Sequence, residues 1–306
     1  MEKFLGVDIG GTNVKFGVVS NKGTLENKVK YPTANVVART GKFIDGFIEC
    51  IEEQLEENKS SKITKIGIGL PGLLSKDRTT TQVLQNIPSL NNTNLIKKLS
   101  EAFPKFKIAI ENDANAAALG EYYFGERKTP ESFAMITLGT GIGGAAIIDG
   151  KIFLGGNGNG MEIGHMVRTS RKTFEDLMGK RGIVGGAENL LRKSQRPSML
   201  RELDTITAKD VEKAAKKGDK IALKVYSKLG KYLGENIVSV VRVLDVDTII
   251  LGGGVASTLR FFESKMHESV EEFLPSSITA GLTIEPATLA NEAGIIGAAS
   301  LCMNLK

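Results

Sequence analysis

The chain has 306 residues, of which 41% are hydrophobic and 25% are charged, the composition of an ordinary globular protein. Its net charge of +5 is slight for this length and gives no reason to expect nucleic-acid binding. Its two cysteines, Cys50 and Cys302, exclude a disulfide framework and a zinc cluster built from cysteine, and we expect both to be buried thiols.

The N-terminal region and the hydropathy of the chain bear on its location. A strand is predicted within four residues of the N-terminus, which leaves no room for a signal peptide. No apolar run reaches the length of a membrane span. We therefore expect a cytoplasmic protein with no membrane partner, in a compartment where ATP is available as a donor.

A glycine-rich turn joins the first two predicted strands. Two apolar runs within residues 4–20 predict a β-hairpin. Its tip consists of Gly10, Gly11 and Thr12, and backbone N–H groups at such a tip can surround phosphate oxygens. Asp8, at the end of the first strand, could hold Mg²⁺ through water. The alternative is an ordinary tight hairpin turn.

Strands and helices alternate through the next hundred residues. Residues 41–57 carry apolar side chains at helical spacing, and Lys65–Leu70 is an apolar strand that ends at Pro71-Gly72. Lys107–Ile110 is a further predicted strand, and Ala114–Phe124 is a predicted helix. This alternation predicts an α/β fold.

A carboxylate lies where the strand at residues 107–110 gives way to the next helix. Asp113 occupies the position at which α/β sheets present ligand-binding groups. It could accept the proton of a hydroxyl group that attacks a phosphoryl group. Asn112 and Asn115 add neutral hydrogen-bonding groups beside it. The alternative is that Asp113 only caps the helix.

The hairpin pattern occurs a second time, at residues 133–148, with Gly139, Thr140 and Gly141 at its tip. The backbone of this turn could bind phosphate in the same way as that of the first. Two such turns in one chain suggest two lobes of related fold that close on one polyphosphate group. We place the boundary between these lobes near residue 114.

A second cluster of polar residues follows the glycine-rich loop at residues 155–160. His165 is one of only two histidines, and Glu162 precedes it by three residues. A neutral histidine and an ionised carboxylate can hydrogen-bond to adjacent sugar hydroxyls. Glu175 could supply a third polar anchor. The alternatives are a structural histidine and an ordinary surface glutamate.

The last third of the chain again alternates helices and strands. Residues 208–217 and 219–243 predict helices, and Thr248–Leu251 predicts a strand. Residues 252–254 are three glycines whose bare backbone could pack against an adenine or a ribose, or could simply form a tight strand-to-helix turn. Residues 291–303 predict a closing helix rich in alanine and glycine.

Taken in order, these segments resemble the ROK family (repressors, open reading frames and kinases) of the actin-like ATPase superfamily that includes hexokinase. The resemblance covers essentially the whole chain. Six segments carry it: DIGGTNVK (8–15), GLPG (69–72), ENDANAAALGE (111–121), LGTGIGGAAI (138–147), EIGH (162–165) and LGGGVA (251–256).

The resemblance implies a two-lobed actin-like ATPase fold, related to ribonuclease H, with the active-site cleft between the lobes. It implies a small N-terminal lobe of residues 1–113 and a larger C-terminal lobe of residues 114–290. The last helix, within residues 291–306, would pack back on the small lobe. Closure of the lobes over a sugar would exclude water. The resemblance also suggests a homodimer.

The resemblance further implies a role for each candidate site residue. Asp113 would be the general base that takes the proton from the sugar hydroxyl, and Asp8 would orient Mg²⁺ through water. Gly72 would form part of the pocket wall, and four residues would hold the other sugar hydroxyls: Asn112, Glu162, His165 and Glu175. ATP would be bound mainly by backbone, its phosphates at Gly10, Gly11, Thr12, Gly139, Thr140 and Gly141 and its nucleoside at Gly252, Gly253 and Gly254.

The chain departs from the family pattern after EIGH. The family usually carries CxCGxxGCxE there, which binds a structural zinc together with the histidine, whereas residues 166–175 read MVRTSRKTFE. Aligning Glu175 with the last residue of that motif implies no zinc and leaves His165 to the sugar. Met161 replaces the usual small residue before ExGH. Because the first motif starts at residue 5, we expect no helix-turn-helix of the kind found in the family's repressors.

We therefore expect a Mg²⁺-dependent kinase that transfers the γ-phosphoryl group of ATP to a hexose, with glucose O6 as the acceptor atom. N-acetylmannosamine and N-acetylglucosamine are alternative acceptors. Inorganic polyphosphate is the alternative donor, favoured by the missing zinc motif and by five basic residues: Arg168, Arg171, Lys172, Lys180 and Arg181.

Two alternatives come from other functional classes. The chain could be a sugar sensor without turnover, but Asp113 argues against this because sugar binding alone needs no base. It could also be an actin-like ATPase that activates another enzyme. Asn112 and Asp113, together with Glu162 and His165, favour a sugar pocket instead.

Overall fold

The computed structural model describes residues 1–169 and 171–305, without the side chains of residues 255–257. The chain forms two compact units. The first consists of Met1–Glu131, Ala145–Met161 and Ala287–Lys306, and the second of Ser132–Gly144 and Glu162–Pro286. The first unit therefore contains the helix that follows Asn112 as well as the end of the chain.

Strands and helices alternate along the described residues. The strands are β1 (Lys3–Ile9), β2 (Asn13–Ser20), β3 (Leu25–Pro32), β4 (Lys65–Leu70), β5 (Leu73–Leu74), β6 (Thr80–Val83), β7 (Thr93–Asn94), β8 (Lys107–Asn112), β9 (Phe133–Leu138), β10 (Ile142–Ile148), β11 (Lys151–Ile152), β12 (Val167–Thr169), β13 (Lys172–Thr173), β14 (Thr248–Gly252) and β15 (Thr283–Pro286). The helices are α1 (Thr33–Thr40), α2 (Phe43–Glu57), α3 (Leu95–Ala102), α4 (Asp113–Phe124), α5 (Phe174–Met178), α6 (Lys180–Lys193), α7 (Ala208–Lys216), α8 (Lys220–Leu244), α9 (Glu263–Phe273), α10 (Ser276–Thr279) and α11 (Ala293–Ser300).

The long elements lie close to their predicted positions. Strand β4 has the predicted bounds, and α4 begins at Asp113, one residue before the predicted start. The closing helix α11 is shorter than predicted, because 3₁₀ turns flank it on both sides. Strand β3 is absent from the sequence prediction, since it is a largely polar strand at the edge of its sheet and lacks an apolar run.

The first unit is built on a five-stranded sheet of order β3-β2-β1-β4-β8. Strands β1 and β2 form an antiparallel hairpin, whereas β1, β4 and β8 run parallel to one another. Phe16 of β2 packs against Phe47 of α2 within the buried core, and Phe43 stacks on Phe47. Because the parallel strands share one direction, the residues at their carboxyl ends meet at one edge of the sheet.

The closing helix α11 packs on this sheet and on α4 so closely that their backbones are in contact. A Cβ atom added at Gly6 of β1 would clash with the carbonyl oxygen of Ile295, and one at Gly67 of β4 would clash with that of Ala298. On the helix itself, a Cβ atom at Gly297 would clash with the backbone of α4. Any larger residue at these crossings would force the helix away from the strands.

The second sheet has the order β11-β10-β9-β14-β15. Strands β9, β14 and β15 run parallel, while β10 and β11 are antiparallel. In both sheets the first strand has the next two strands of the chain on one side and two later strands on the other. The two sheets therefore share one topology, in agreement with the repeated hairpin motif in the sequence.

Two predictions from composition can be compared with the structure. Cys50 and Cys302 are both buried thiols, as predicted. Burial raises the pKa of the Cys302 thiol to about 12, so this side chain stays protonated near neutral pH. Within residues 1–169 and 171–305, no helix combines the length and the hydrophobicity needed to cross a membrane.

Candidate active site

The turn between β1 and β2 is held in place by a residue outside the hairpin. Gly10 donates its N–H to the carbonyl oxygen of Asn13 at 2.9 Å, which closes the turn. Thr33 at the start of α1 donates its N–H to Thr12 O and its hydroxyl to Gly10 O, at 2.9 and 2.8 Å. Gly11 and Thr12 remain exposed at the tip. The turn therefore offers a fixed and accessible backbone to a ligand.

Asp8 lies just before this turn and forms an ion pair that sequence analysis did not identify. Its Oδ2 is 2.7 Å from Lys15 Nζ, across the β1–β2 pair in which the two residues face each other. The side chain of Asp8 is 15% exposed. Mg²⁺ in nucleotide sites is usually held by one or two carboxylates and the phosphates. The single carboxylate of Asp8 fits that requirement.

The end of β4 and the start of α4 carry the predicted acceptor residues of the first unit. Gly72 has φ +95°, and a Cβ atom there would clash with the carbonyl oxygen of Val83, so only glycine fits this turn. Asn112 donates from Nδ2 to Gly72 O at 3.2 Å. Leu70 and Asn112 are paired in the parallel register of β4 and β8. The loop containing Gly72 is thereby fixed to the end of β8.

Asp113 is exposed in the first turn of α4, and Asn112 is the residue that caps the helix. Asn112 Oδ1 accepts the N–H groups of Ala114 and Asn115 at 2.9 and 3.3 Å. Asp113 Oδ1 also lies 2.9 Å from the Ala114 nitrogen, within its own turn. Asn112 is therefore the residue that caps α4, and Asp113 accepts a further hydrogen bond within the first turn.

Behind this junction lies a buried ion pair that sequence analysis also missed. Arg78 Nε donates to Glu111 Oε2 at 2.9 Å, and the side chain of Glu111 is only 5% exposed. The signal in the sequence was a glutamate at the end of an apolar strand, because a buried carboxylate requires a partner. Nothing in the sequence indicated that the partner would be Arg78.

The turn between β9 and β10 in the second unit is braced by the helices that follow. Gly139 donates its N–H to Gly141 O at 2.9 Å. Glu175 of α5 accepts the N–H of Ile142 at 2.9 Å, and its carboxylate occupies the place where a Cβ atom of Gly141 would lie. Lys180, the first residue of α6, donates to the hydroxyl of Thr140 at 3.3 Å. Glu175 thus contacts the predicted phosphate turn directly.

The glycine triplet after β14 packs on this same turn. Gly252 pairs with Thr137 in the parallel register of β14 and β9. Gly253 has φ +82°, and a Cβ atom there would lie 2.5 Å from the carbonyl oxygen of Leu138. Gly254 begins a 3₁₀ segment that runs to Phe261. The predicted phosphate and nucleoside motifs of the second unit therefore meet at one edge of its sheet.

Glu162 and His165 lie at the two ends of one short turn. His165 Nε2 is 3.8 Å from Glu162 Oε2, and the imidazole is 56% exposed. Burial raises the pKa of the Glu162 carboxyl, the nearby His165 lowers it, and Glu175 raises it further. Asn236 donates to the carbonyl oxygen of Ile163 at 3.3 Å and anchors the turn from α8. The three predicted sugar ligands of this unit are thus close together.

The shortened segment after EIGH forms the hairpin β12–β13 and is fixed to α8 without cysteine. Arg168 donates from Nε and Nη2 to both carboxylate oxygens of Glu235. Its guanidinium also lies 4.3 Å from the centre of the Tyr232 ring. A forked ion pair stacked on an aromatic ring restrains a hairpin through two independent contacts. Within residues 1–169 and 171–305, no group of three or more His, Cys, Asp or Glu side chains could hold a metal.

Met161, the residue before Glu162, has a left-handed backbone with φ +66°. A side chain is rarely found in this conformation, whereas glycine adopts it readily. Met161 therefore holds this backbone at a cost in conformational energy that glycine would avoid.

The sequence matches the ROK family over residues 4–304. The chain belongs to the ROK family. The glucokinase of Thermotoga maritima is 30% identical over 312 residues, which cover 98% of this chain and 96% of that protein. Among solved structures, a proposed sugar kinase from Cytophaga hutchinsonii is 39% identical, with a TM-score of 0.89 over 99% of this chain and 100% of the other.

A third relative shows the ligands of such a protein. The ROK glucokinase of Streptomyces griseus, solved with glucose and AMPPNP, is 27% identical, with a TM-score of 0.80 and 98% of each chain covered. These relatives confirm the predicted family, the predicted actin-like α/β fold and the predicted enzyme class, the sugar kinases. The roles of individual site residues remain predictions. The residues themselves fall into two sets, one in each compact unit.

Proposed function

We propose that this ROK protein is a Mg²⁺-dependent kinase that transfers the γ-phosphoryl group of ATP to a hexose, with glucose O6 as the first candidate acceptor atom. The observation that carries the proposal is Asp113. Its carboxylate is exposed at the carboxyl end of β8, and the capping of α4 is performed by Asn112. A protein that only bound a sugar would need no base at this position.

The proposed role of Asp113 follows from its place in the helix. The N-terminus of a helix carries partial positive charge, which favours the ionised form of a carboxylate in the first turn. Ionised Asp113 can accept the proton of the sugar hydroxyl as that oxygen attacks the phosphorus atom. Asn112 and Gly72 hold the neighbouring backbone in place through their mutual hydrogen bond.

The acceptor would be oriented from the second unit by Glu162, His165 and Glu175. Carboxylate oxygens accept hydrogen bonds from sugar hydroxyls, and a neutral imidazole can donate and accept. Glu175 is positioned by its hydrogen bond to Ile142 N, next to the phosphate turn. We propose that this contact places the acceptor ligand and the donor turn in a fixed relation.

The donor would be bound by the backbone of the two hairpin turns, with Asp8 holding Mg²⁺ through water. When bound, Mg²⁺ neutralises charge on the terminal phosphates. The fixed turns at Gly10–Thr12 and Gly139–Gly141 present backbone to phosphate oxygens. Gly252–Gly254 would face the nucleoside, and the close packing of Gly253 on Leu138 supports this placement.

ATP is favoured over polyphosphate as the donor by one observation in the basic segment. Arg168, one of the basic residues that suggested polyphosphate, is occupied by Glu235 and Tyr232. Lys180 lies beside the second phosphate turn, where it can serve either donor. The glycine triplet suits a nucleoside, which polyphosphate lacks.

The proposal is tested by incubating purified protein with Mg-ATP or polyphosphate and a panel of hexoses and N-acetylhexosamines, with products read by mass spectrometry. One dominant sugar phosphate formed from ATP would support the proposal and name the acceptor. If a sugar phosphate formed with polyphosphate and not with ATP, polyphosphate would replace ATP as the proposed donor. If calorimetry showed that the folded protein binds a sugar but no product formed, the alternative of a sugar sensor without turnover would be favoured.

The variant Asp113→Asn tests the proposed base in the same assay. We expect it to abolish transfer, because a general base contributes about 10²–10⁴-fold to the rate. Calorimetry should still show a sugar affinity within about 10-fold of that of the original protein. Equal loss of transfer and binding would contradict the role of base. The proposed homodimer is tested separately, by light scattering on the eluting protein.

A further inference from the structure

The ion pair between Arg78 and Glu111 lies in the first unit, next to the proposed base. The side chains are 15% and 5% exposed, and Arg78 Nε is 2.9 Å from Glu111 Oε2. Removing two charges from water is costly unless every polar atom of the pair finds a partner. The remaining contacts of the pair therefore indicate what its position achieves.

Glu111 uses its second oxygen to hold the junction between β8 and α4. Oε1 accepts the backbone N–H of Asn112 at 2.8 Å and the amide of Asn115 at 3.1 Å. Asn112 in turn caps α4 and binds Gly72 O. The carboxylate of Glu111 thus holds the backbone just before Asp113 and the side chain of Asn115 just after it.

Arg78 uses its other nitrogens to hold two loops. Nη1 donates to the carbonyl oxygen of Ser75 at 3.1 Å, and Nη2 donates to that of Gly158 in the glycine-rich loop. The amide of Asn159 exchanges two hydrogen bonds of 3.0 Å with the backbone of Leu74, which docks the same loop beside the same turn. One guanidinium therefore ties the loop after Gly72, the loop at residues 155–160 and the end of β8 together.

The backbone of Arg78 is itself held in an unusual conformation. Its φ is +57°, in the left-handed region that side chains disfavour. The turn around it is closed by the N–H of Thr80, which donates to Ser75 Oγ at 2.9 Å, and by that of Thr79, which donates to Asp77 Oδ1 at 3.2 Å. Disfavoured backbone that is held by its surroundings is concentrated at functional sites.

We infer that Arg78 is a positioning residue for phosphoryl transfer, acting through Glu111 on the segment that carries Asn112 and Asp113. This inference rests on the proposed function, because it assumes that Asp113 is the base. Without Arg78, Glu111 would be a buried charge without its cation, and it would turn toward water and release the junction. A shift of about 1 Å at a catalytic group can cost about 100-fold in rate.

Arg78→Lys is the first test, because lysine keeps the charge but lacks the fork that reaches three partners. We expect kcat to fall about 10-fold to 100-fold, with KM for sugar and for ATP within about 3-fold of the original values. A merely structural residue would lower the melting temperature and leave kcat per folded molecule unchanged. That result would overturn the inference.

Arg78→Met/Glu111→Gln covers the case in which a single substitution prevents folding. Replacement of a buried ion pair by neutral residues often preserves stability, but without the guanidinium nothing fixes the glutamine amide or holds the loops at Ser75 and Gly158. We expect this double variant to fold and to be as slow as Arg78→Lys. Full activity would overturn the inference.

Arg39→Met is the control, since Arg39 forms an ion pair with Glu53, 2.8 Å apart, in the same unit, with more exposed side chains (30% and 37%), and neither residue is a candidate site residue. We expect its kcat to be unchanged. A fall in kcat equal to that of Arg78→Lys would overturn the inference, because loss of any ion pair would then suffice.

Hydrogen exchange read by mass spectrometry separates this inference from the proposed function. In Arg78→Lys we expect faster exchange in peptides covering residues 72–78, 111–115 and 155–160, and unchanged exchange elsewhere, with no such change in Arg39→Met. Unchanged exchange in those peptides would overturn the positioning role. An original protein that transfers no phosphate to any acceptor would instead defeat the proposed function.

Discussion

The two sheets share one topology and carry the same kind of turn, yet the side chains around the two turns differ. In the first, β3-β2-β1-β4-β8, the turn is held by Thr33 and preceded by Asp8, which pairs with Lys15. In the second, β11-β10-β9-β14-β15, Thr137 stands two residues before the first glycine, where Asp8 stands in the first.

The second turn is supported by groups from the helices that follow, Glu175 of α5 and Lys180 of α6. The backbone that suits phosphate is thus repeated, whereas the chemistry around it is divided. The carboxylate that we propose for a cation belongs to the first turn, and a brace shared with the proposed sugar ligands belongs to the second. The predictions below test this division.

The largest expected effect distinguishes Asp8 from Thr137. Asp8→Asn should lower kcat/KM for Mg-ATP by about 100-fold, because it removes the charge that we propose holds Mg²⁺ through water. Thr137→Val, at the matching position of the second turn, should change it by less than about 3-fold, because no charge is lost there. Both values come from initial rates over a range of Mg²⁺ concentrations. Equal losses would mean that the two turns are not chemically distinct.

The next effect concerns the brace on the second turn. Gly141→Ala should lower kcat/KM for ATP by about 10-fold, through a higher KM and a lower kcat. The reason is that the new Cβ atom would displace the carboxylate of Glu175. Gly139→Ala is the matched control, since the nearest atom to a Cβ there, Gly141 O, is 4.0 Å away. Similar kinetics for the two alanine variants would show that Glu175 does not brace the turn.

A smaller effect, on the free energy of unfolding, is expected at Met161, the last residue of the segment Ala145–Met161 in the first unit. Met161→Gly should raise the free energy of unfolding by about 1 kcal/mol, because it relieves the left-handed backbone at φ +66°. The melting temperature should rise by about 2–4 °C in calorimetry.

Met166→Gly provides the comparison for Met161, since Met166 is extended, at φ −60° and ψ 132°. Glycine there should lower the free energy of unfolding by roughly 0.5–1 kcal/mol, because it adds freedom to the unfolded chain. Stabilisation by both substitutions would show that backbone conformation is not the cause.

The smallest expected effect is the pH dependence contributed by Glu162. Because its pKa is raised in the folded state, its contribution to stability is present below the ordinary value of 4.5 and is lost as pH rises through the raised value. Glu162→Gln should therefore melt at a higher temperature than the original protein at about pH 8, with the difference vanishing near pH 4. A difference that grows toward acid would contradict the raised pKa.

Much of the fold could be predicted from local patterns. Strand β4, the two glycine-tipped hairpins and the long helix α8 follow from apolar periodicity and from glycine, which act within a few residues. The edge strand β3 and the small sheet β5-β6-β7 could not be predicted, because short or polar strands are stabilised by their neighbours. The bounds of the compact units also depend on which distant segments pack together.

The candidate site divides in the same way. Asp113, Gly72 and the residues of EIGH were found from the sequence because their residue types and their order match a family motif. Lys15 was missed because its pairing with Asp8 arises from strand register. Arg78 was missed because its partners, Glu111 and Gly158, lie 33 and 80 residues away along the chain.

The sequence by itself determined the family, the α/β class and the identity of the candidate base. Only the tertiary structure decided which residue caps α4, what occupies the space beside Gly141 and what neutralises Glu111. The physical reason is range: glycine turns and apolar periodicity are set by neighbours in the chain, whereas hydrogen bonds and ion pairs between segments exist only once folding has brought those segments into contact.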